Sequence, residues 1–253
     1  MGRAKIGRLN ETRINNNGEE MRIIRYGNRN DIDVQFEDGT IVEHRQYCHF
    51  KTGRIKNPMT PNVYGVGFMG IGDYKSCDGN GKDTKCYDVW FSMHQRCYDS
   101  KFHAKEPSYE NCTVCKEWNN YQNYAKWSDE NYYEVGNEQM DLDKDILKKG
   151  NKVYSPDTCI YVPHSINVLF VKSNKIRGEL PIGVCKVGNK FQAYLHKHNR
   201  KIHLGTYTTP EEAFLVYKEH KELYIKEVAN EYKDKIPHEL YDALMNYKVE
   251  IDD

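Results

Sequence analysis

Between Leu180 and Pro210 the chain carries no aspartate or glutamate. The same span holds Lys186, Lys190, Lys197, Arg200 and Lys201, with His196, His198 and His203 among them. Its centre alternates, with Phe191, Ala193 and Leu195 pointing one way and Gln192, Tyr194 and His196 the other. A period of two is that of a strand with one buried face. Gln192, Tyr194 and His196 are therefore expected on an open, basic sheet face. A sheet of this kind fits the major groove of DNA, where cations meet phosphates and polar groups reach base edges. Tyr194 and His196 would tune sequence preference, whereas Lys197 and Arg200, at a hairpin turn, would contact the backbone and set affinity. The competing reading is a solvated basic face on a structural sheet.

A second concentration of charge has the opposite sign. From Asp129 to Asp145 the acids are Asp129, Glu130, Glu134, Glu138, Asp141, Asp143 and Asp145, opposed by Lys144. Taken alone, Asp143 and Asp145 read as a solvated acidic turn. Cys112 and Cys115 have the spacing of half a zinc site. A structural zinc ion there is not expected, because reduced buried cysteines are the default. His94, flanked by Trp90 and Tyr98 at i−4 and i+4, reads as a packing residue, and His103 as a polar loop residue. Gly65-Val66-Gly67 with Gly70 has neither a βαβ context nor a following Lys-Ser/Thr, so it is not a nucleotide loop.

The elements that would position these groups fall into four segments. Residues 1–56 begin with a basic arm (Arg3, Lys5, Arg8 and Arg13 against Glu11) and continue as a β-rich module. There Met21–Tyr26 reads as a strand, Ile32, Val34 and Phe36 alternate with Asp33 and Gln35, and Asp38-Gly39 signals a hairpin before Thr40-Ile41-Val42. The pattern resembles small Tudor-like barrels. Residues 57–86 are rich in glycine and proline and read as a linker with local turns. Helical periodicity begins near Tyr87, with Trp90, Met93 or His94, and Cys97 on one face, and returns after Cys115 with Trp118, Tyr121 and Ala125. Residues 172–253 read as three strands and a helix. The strands are Gly183–Val187, Lys190–Leu195 and Ile202–Tyr207, with a turn at Asn199-Arg200. Thr209, Pro210 and Glu212 form the best helix start in the chain, a capping box with proline at the first position.

Residues 182–228 resemble the Apetala-type (ethylene-response-factor-like) DNA-binding domain. The likeness rests on Gly183-Val184, Lys190-Phe191-Gln192-Ala193, His203-Leu204-Gly205-Thr206-Tyr207, Thr209–Phe214 and Tyr217. It implies binding of double-stranded DNA through the sheet face, with Lys186, Lys190, Gln192, Tyr194, His196, Lys197, Arg200, Lys201 and His203 as candidate contacts. The tryptophans that the family carries on that face are missing here.

Residues 87–171 resemble a phage and prophage group of HNH-type endonucleases. The matching stretches are Trp90–Tyr98, Tyr109, Val114–Trp118, Tyr121–Trp127, Leu142–Asp145, Gly150–Cys159, and onward to Asn167. In that group the nuclease region is commonly joined to a C-terminal Apetala-type domain. The resemblance implies a ββα unit on one divalent metal, Mg²⁺ or Mn²⁺: a first strand over Leu142–Ile146, a second over Cys159–Val162, and a helix from Pro163. Asp143, and with it Asp145, stands at the metal-binding acid. Lys144 stands where the pattern has its general-base histidine, and Thr158 at a loop asparagine. His164 and Asn167 fall on the first turn of the helix, within reach of metal or water. An ordinary lysine is protonated at pH 7 and cannot accept a proton.

Composition bounds these readings. The chain has 253 residues, 37 basic against 37 acidic, and 12% aromatics, too many for a disordered chain. No apolar run approaches the ~18 residues of a membrane span. The N-terminus lacks a signal-peptide stretch, and the eight cysteines argue against a disulfide scaffold. The expectation is an α+β protein of cytoplasmic character, in a bacterial host if phage-encoded, with no membrane partner and no indication of oligomeric state. It would be a DNA-binding, metal-dependent endonuclease. The rival reading is a non-enzymatic DNA-binding protein on a degenerate nuclease scaffold. A distant third is an RNA- or protein-binding module using the N-terminal β unit.

Overall fold

The computed structural model describes residues 7–171, 180–198 and 200–251. Arg3 and Lys5 of the basic arm, the start of the last segment at residue 172, and Asn199 of the expected turn lie outside the described residues. The chain is α+β and divides into two compact units, residues 1–108 with 114–126, and residues 109–113 with 127–253.

The first unit opens with an antiparallel sheet in the order β1 (Thr12–Ile14), β2 (Glu20–Asn28), β3 (Asp31–Phe36) and β4 (Ile41–Arg45). In β2, Met21 and Ile23 are buried and pair with Phe36 and Val34, while Glu20 and Arg22 of the same strand are exposed. The Asp38-Gly39 turn forms as expected, with Gly39 at φ +86° and its N–H donating to Phe36 O. A short helix not anticipated from sequence, α1 (Tyr47–Lys51), adds Tyr47 and Phe50 to the core of Met21, Ile23, Ile32, Val34, Phe36, Val42 and Ile55. Full burial of each such side chain contributes about 1.5–3 kcal/mol.

Besides α1, this unit holds α2 (Lys85–Tyr98), capped by Thr84, α3 (Ser100–Lys105), α4 (Lys116–Asn119), and the first residues of α5 (Tyr121–Asn131). Trp90 and His94 are fully buried on α2, their rings 4.5 Å apart. Burial pushes the His94 imidazole below its ordinary range, so it is neutral. The glycine-rich stretch expected as a linker is a packed strap. The Gln122 amide donates to Met69 O and Tyr74 O and accepts from the Tyr74 N–H, and Tyr121 OH donates to Lys75 O. A side chain at Gly67 would collide with Trp90 and His94, which is why the strap can lie so close to α2.

The second unit joins a ββα element to a sheet–helix element. Here β6 (Met140–Asp143) pairs antiparallel with β8 (Ile160–Pro163), followed by the single-turn helix α6 (His164–Asn167). Between them runs β7 (Val153–Tyr154), and Thr113, the first residue of β5 (Thr113–Val114), donates its N–H to Lys152 O. The C-terminal sheet has the order β11 (Arg200–Tyr207), β10 (Lys190–Lys197), β9 (Val184–Val187). Against it packs α7 (Pro210–Tyr232), with α8 (His238–Asn246) beside that helix. The capping box is present: the Thr209 hydroxyl accepts from Glu212 N–H, and the Glu212 carboxylate accepts from Thr209 N–H. Ala193 and Leu195 meet the buried face of α7, which carries Ala213, Phe214, Tyr217, Tyr224 and Ile225. Gly183, at φ +76°, lies so close to the Tyr217 ring that no side chain would fit.

Candidate functional site

The register of the C-terminal sheet sorts the candidate DNA contacts by face. Across β10 and β11, Gln192 pairs with Thr206, Tyr194 with His203 and His196 with Lys201. Directly paired residues share a face, and strand alternation adds Lys190 to Gln192, Tyr194 and His196. Lys190, Gln192, Tyr194, His196, Lys201 and His203 therefore share the face turned away from α7. A bulge between Ala193 and Tyr194 keeps His203 rather than Leu204 on it. The other three candidates alternate to the opposite face. Lys186 pairs with Phe191 and Arg200 with Lys197, both at exposed ends of the sheet. Lys197 forms an ion pair with Glu227 of α7 and lies 5.1 Å over the Tyr224 ring.

Side chains on the open face are organised without a ligand. Tyr194 OH donates to Gln192 Oε1 at 2.6 Å. The Lys201 ammonium lies 3.7 Å over the centroid of the Tyr194 ring, and the His203 ring is 5.2 Å from it.

The ββα element gathers two of the residues expected there, His164 and Asn167, around an aspartate to which the sequence assigned no role. Asp141 and Asp143 alternate onto one face of β6, paired with Val162 and Ile160. His164 follows the second strand directly and turns back to Asp141, its Nδ1 2.7 Å from Asp141 Oδ2. Asn167 Nδ2 donates to the same oxygen at 3.0 Å, and Gln139 Nε2 donates to Asp141 Oδ1 at 2.8 Å. Burial opposes ionisation of Asp141, but the bonds from Asn167 and His164 outweigh it and hold the carboxyl below its usual range. A carboxylate acceptor at Nδ1 selects the tautomer with the proton on Nδ1 and leaves the Nε2 lone pair as a base. His164 Nε2 has no partner among the described residues, and the side chain is 55% exposed.

Asp143, Lys144 and Asp145 serve the loop instead. Asp143 Oδ1 accepts from the Asp145 N–H at 2.8 Å and the Ile146 N–H at 2.7 Å. Burial, and then the neighbouring Asp145 charge, push its carboxyl up to about 6. The Lys144 side chain is 9% exposed and its ammonium lies 3.1 Å from Asp145 Oδ2. It sits 5.9 Å from the ring centroids of Tyr109 and Tyr154. Burial opposes its charge, yet Asp145 more than offsets this and holds the amine above the ordinary lysine range. Lys144 is thus a fixed cation, and any metal ion on Asp145 would have to displace it. The Thr158 hydroxyl donates to Val153 O at 2.8 Å and braces the same loop, as does the Asn151 amide through Lys144 O. Sequence reasoning counted Asp141 among the acids and assigned it no role. Its signal was the Met140–Asp143 alternation, which places it on the Asp143 face, opposite Val162 and two residues short of His164 on the partner strand.

In the first unit, Asp31, Asp33 and His44 bring one ligand atom each within 4.8 Å of one another. Sequence reasoning did not single them out as a cluster. A cation already stands there: Arg25 Nη2 lies 2.7 Å from Asp31 Oδ1 and 2.8 Å from Asp33 Oδ1, and Nη1 lies 3.0 Å from Asp31 Oδ2. These bonds hold both carboxyls below their usual range. The donor set fits the guanidinium, and a metal ion would have to expel it. Cys112 is buried and Cys115 half-buried, and both are free thiols.

No helix among the described residues is long and apolar enough to cross a membrane. Comparison with family models, curated proteins and solved structures finds no match to this chain.

Proposed function

We propose that this protein binds duplex DNA through the open face of its C-terminal sheet and hydrolyses DNA phosphodiesters at the ββα element, as a metal-dependent endonuclease. The observation that carries the reading is the face itself: Lys190, Gln192, Tyr194, His196, Lys201 and His203 stand together, with no acid anywhere from Leu180 to Pro210. Cations on such a surface neutralise phosphates and release counterions, and amide, phenol and imidazole groups match base edges.

At the ββα element, His164 is the base. Asp141 orients its imidazole, so that Nε2 can take a proton from a water attacking phosphorus. The Asp141 carboxylate and the Asn167 amide oxygen are hard donors suited to Mg²⁺ or Mn²⁺. A divalent cation held there would stabilise charge on the phosphate and the leaving oxygen. Asp143 and Asp145 are not needed for this arrangement.

One observation favours a second reading, a DNA-binding protein without catalysis: the residue at the expected base position, Lys144, is locked as a cation on Asp145. Incubating plasmid DNA with the purified protein and Mg²⁺ or Mn²⁺, with and without chelator, separates the two. Chelator-sensitive nicking supports the endonuclease. Retardation of duplex DNA without nicking supports the second reading. Absence of affinity at low salt overturns both.

A further inference from the structure

Gln192 and Tyr194 are two residues apart on β10, so their side chains leave the sheet on the same face. The phenol reaches along the strand, and its hydroxyl donates to Gln192 Oε1 at 2.6 Å. A free glutamine samples many rotamers and either flip of its amide; this bond selects one rotamer and one flip. The carbonyl oxygen faces the phenol, retaining its second lone pair, and the Nε2 amine stands beside it as a donor. The Tyr194 ring is itself held, with the Lys201 ammonium 3.7 Å over its centroid and the His203 ring 5.2 Å away. The result is a rigid acceptor–donor pair on the open face.

That pair has one complementary base edge in the major groove. Adenine presents an N6 amine donor beside the N7 acceptor, and a glutamine amide satisfies both at once. Guanine offers two acceptors and would leave the amide oxygen facing a carbonyl. Thymine offers one acceptor beside a methyl group, and cytosine a lone donor. We propose that Gln192 reads an adenine and that Tyr194 is the residue that positions it, so that selectivity at one base pair depends on the Tyr194 hydroxyl. The proposal rests on the DNA-binding reading of this face and adds to it the base recognised.

The test uses the full-length protein and a pool of duplexes randomised over about 12 base pairs, selected in parallel with wild type, Gln192→Ala and Tyr194→Phe. Tyr194→Phe keeps the ring and its stack with Lys201 and removes only the hydroxyl. Wild type should select adenine at one position by about 10-fold or more. Gln192→Ala should abolish that preference alone. Tyr194→Phe should cut it several-fold at the same position, and by more there than at any other position. Melting curves establish that both variants are folded. Wild-type selection of guanine or of no base, or Gln192→Ala leaving every position unchanged, overturns the assignment of Gln192. A uniform loss across all positions in Tyr194→Phe, or no loss, overturns the positioning role. Failure of wild type to bind any duplex at low salt is a separate result that removes the DNA-binding reading itself.

Discussion

His164 Nδ1 lies 2.7 Å from Asp141 Oδ2, joining the first residue of α6 to the second residue of β6. The bond crosses the antiparallel pair at the point where the second strand gives way to the helix. It turns an exposed histidine into one with a fixed tautomer. The consequence is a division of labour among neighbouring charged residues. His164→Ala should lower metal-stimulated plasmid nicking by about 10²–10⁴-fold, the usual worth of a general base. Lys144→Met should leave the rate per folded molecule within a few-fold. Nicking that survives His164→Ala and disappears in Lys144→Met would reverse the assignment.

Asp143 yields a prediction about stability and pH. Its folded pKa, about 6, lies above its unfolded value. Its contribution is therefore fully present below pH ~4 and is lost as pH rises through about 6. Asp143→Asn keeps the oxygen that accepts from Asp145 and Ile146 but cannot ionise. It should be more stable than wild type by about 1–3 kcal/mol at pH 7.5, with the advantage vanishing at pH 4. Chemical denaturation at the two pH values checks this, and an equal difference at both would contradict it.

Lys197 and Lys201 lie on opposite faces of the same hairpin, so they should differ in their effect on DNA. Lys201→Ala and Lys190→Ala should each weaken binding to all duplexes and reduce the salt slope by about one. Lys197→Ala, which breaks the pair with Glu227, should change that slope little. Titrations at several salt concentrations measure it, and a larger slope change at Lys197 than at Lys201 would invert the faces.

Arg25 holds Asp31 and Asp33 ionised. Carboxyls with depressed folded pKa values contribute stability above the unfolded pKa, and it is lost as pH falls through the folded values. Arg25→Met removes the source of the depression. The acid-unfolding midpoint of the N-terminal module should rise by roughly one pH unit. Circular dichroism from pH 2 to 6 reads the shift, and an unchanged midpoint would mean that the guanidinium contributes nothing.

Lys221, on α7, has no hydrogen-bond partner among the described residues and lines a small apolar cavity with Leu169, Phe170, Ile182, Tyr217, Tyr247 and Val249. Burial pushes its amine down to about 8. A lysine with a depressed folded pKa favours folding above its unfolded pKa and loses that contribution as pH falls through about 8. Wild type should therefore gain stability from pH 7.5 to 9.5. Lys221→Met should be more stable by about 1–3 kcal/mol at pH 7 and should lose most of that gain. Melting temperatures that move in parallel for the two proteins across this range would refute the burial argument.

Local pattern was enough to place most elements. Alternation over Lys190–Leu195 identified β10, Asp38-Gly39 the β3–β4 hairpin, and Thr209-Pro210-Glu212 the start of α7, because each signal depends on residues within one or two turns of each other. The same alternation sorted Gln192, Tyr194 and His196 onto the open face. Only the tertiary structure decided the rest. Lys197 appeared free from its position at a turn, yet Glu227, 30 residues away, claims it. The resemblance to the HNH group set Asp143 and Lys144 at its metal-binding acid and its base position, but burial made the first a loop cap and the second a fixed cation. Asp141 acquired its partners, His164 and Asn167, through strand pairing across more than 20 residues. The glycine-rich strap read as a linker because its packing is made by Gln122 and Tyr121 far along the chain. Short-range periodicity records which face of an element is apolar; which charge meets which is settled by register and burial, which emerge only when distant segments pack.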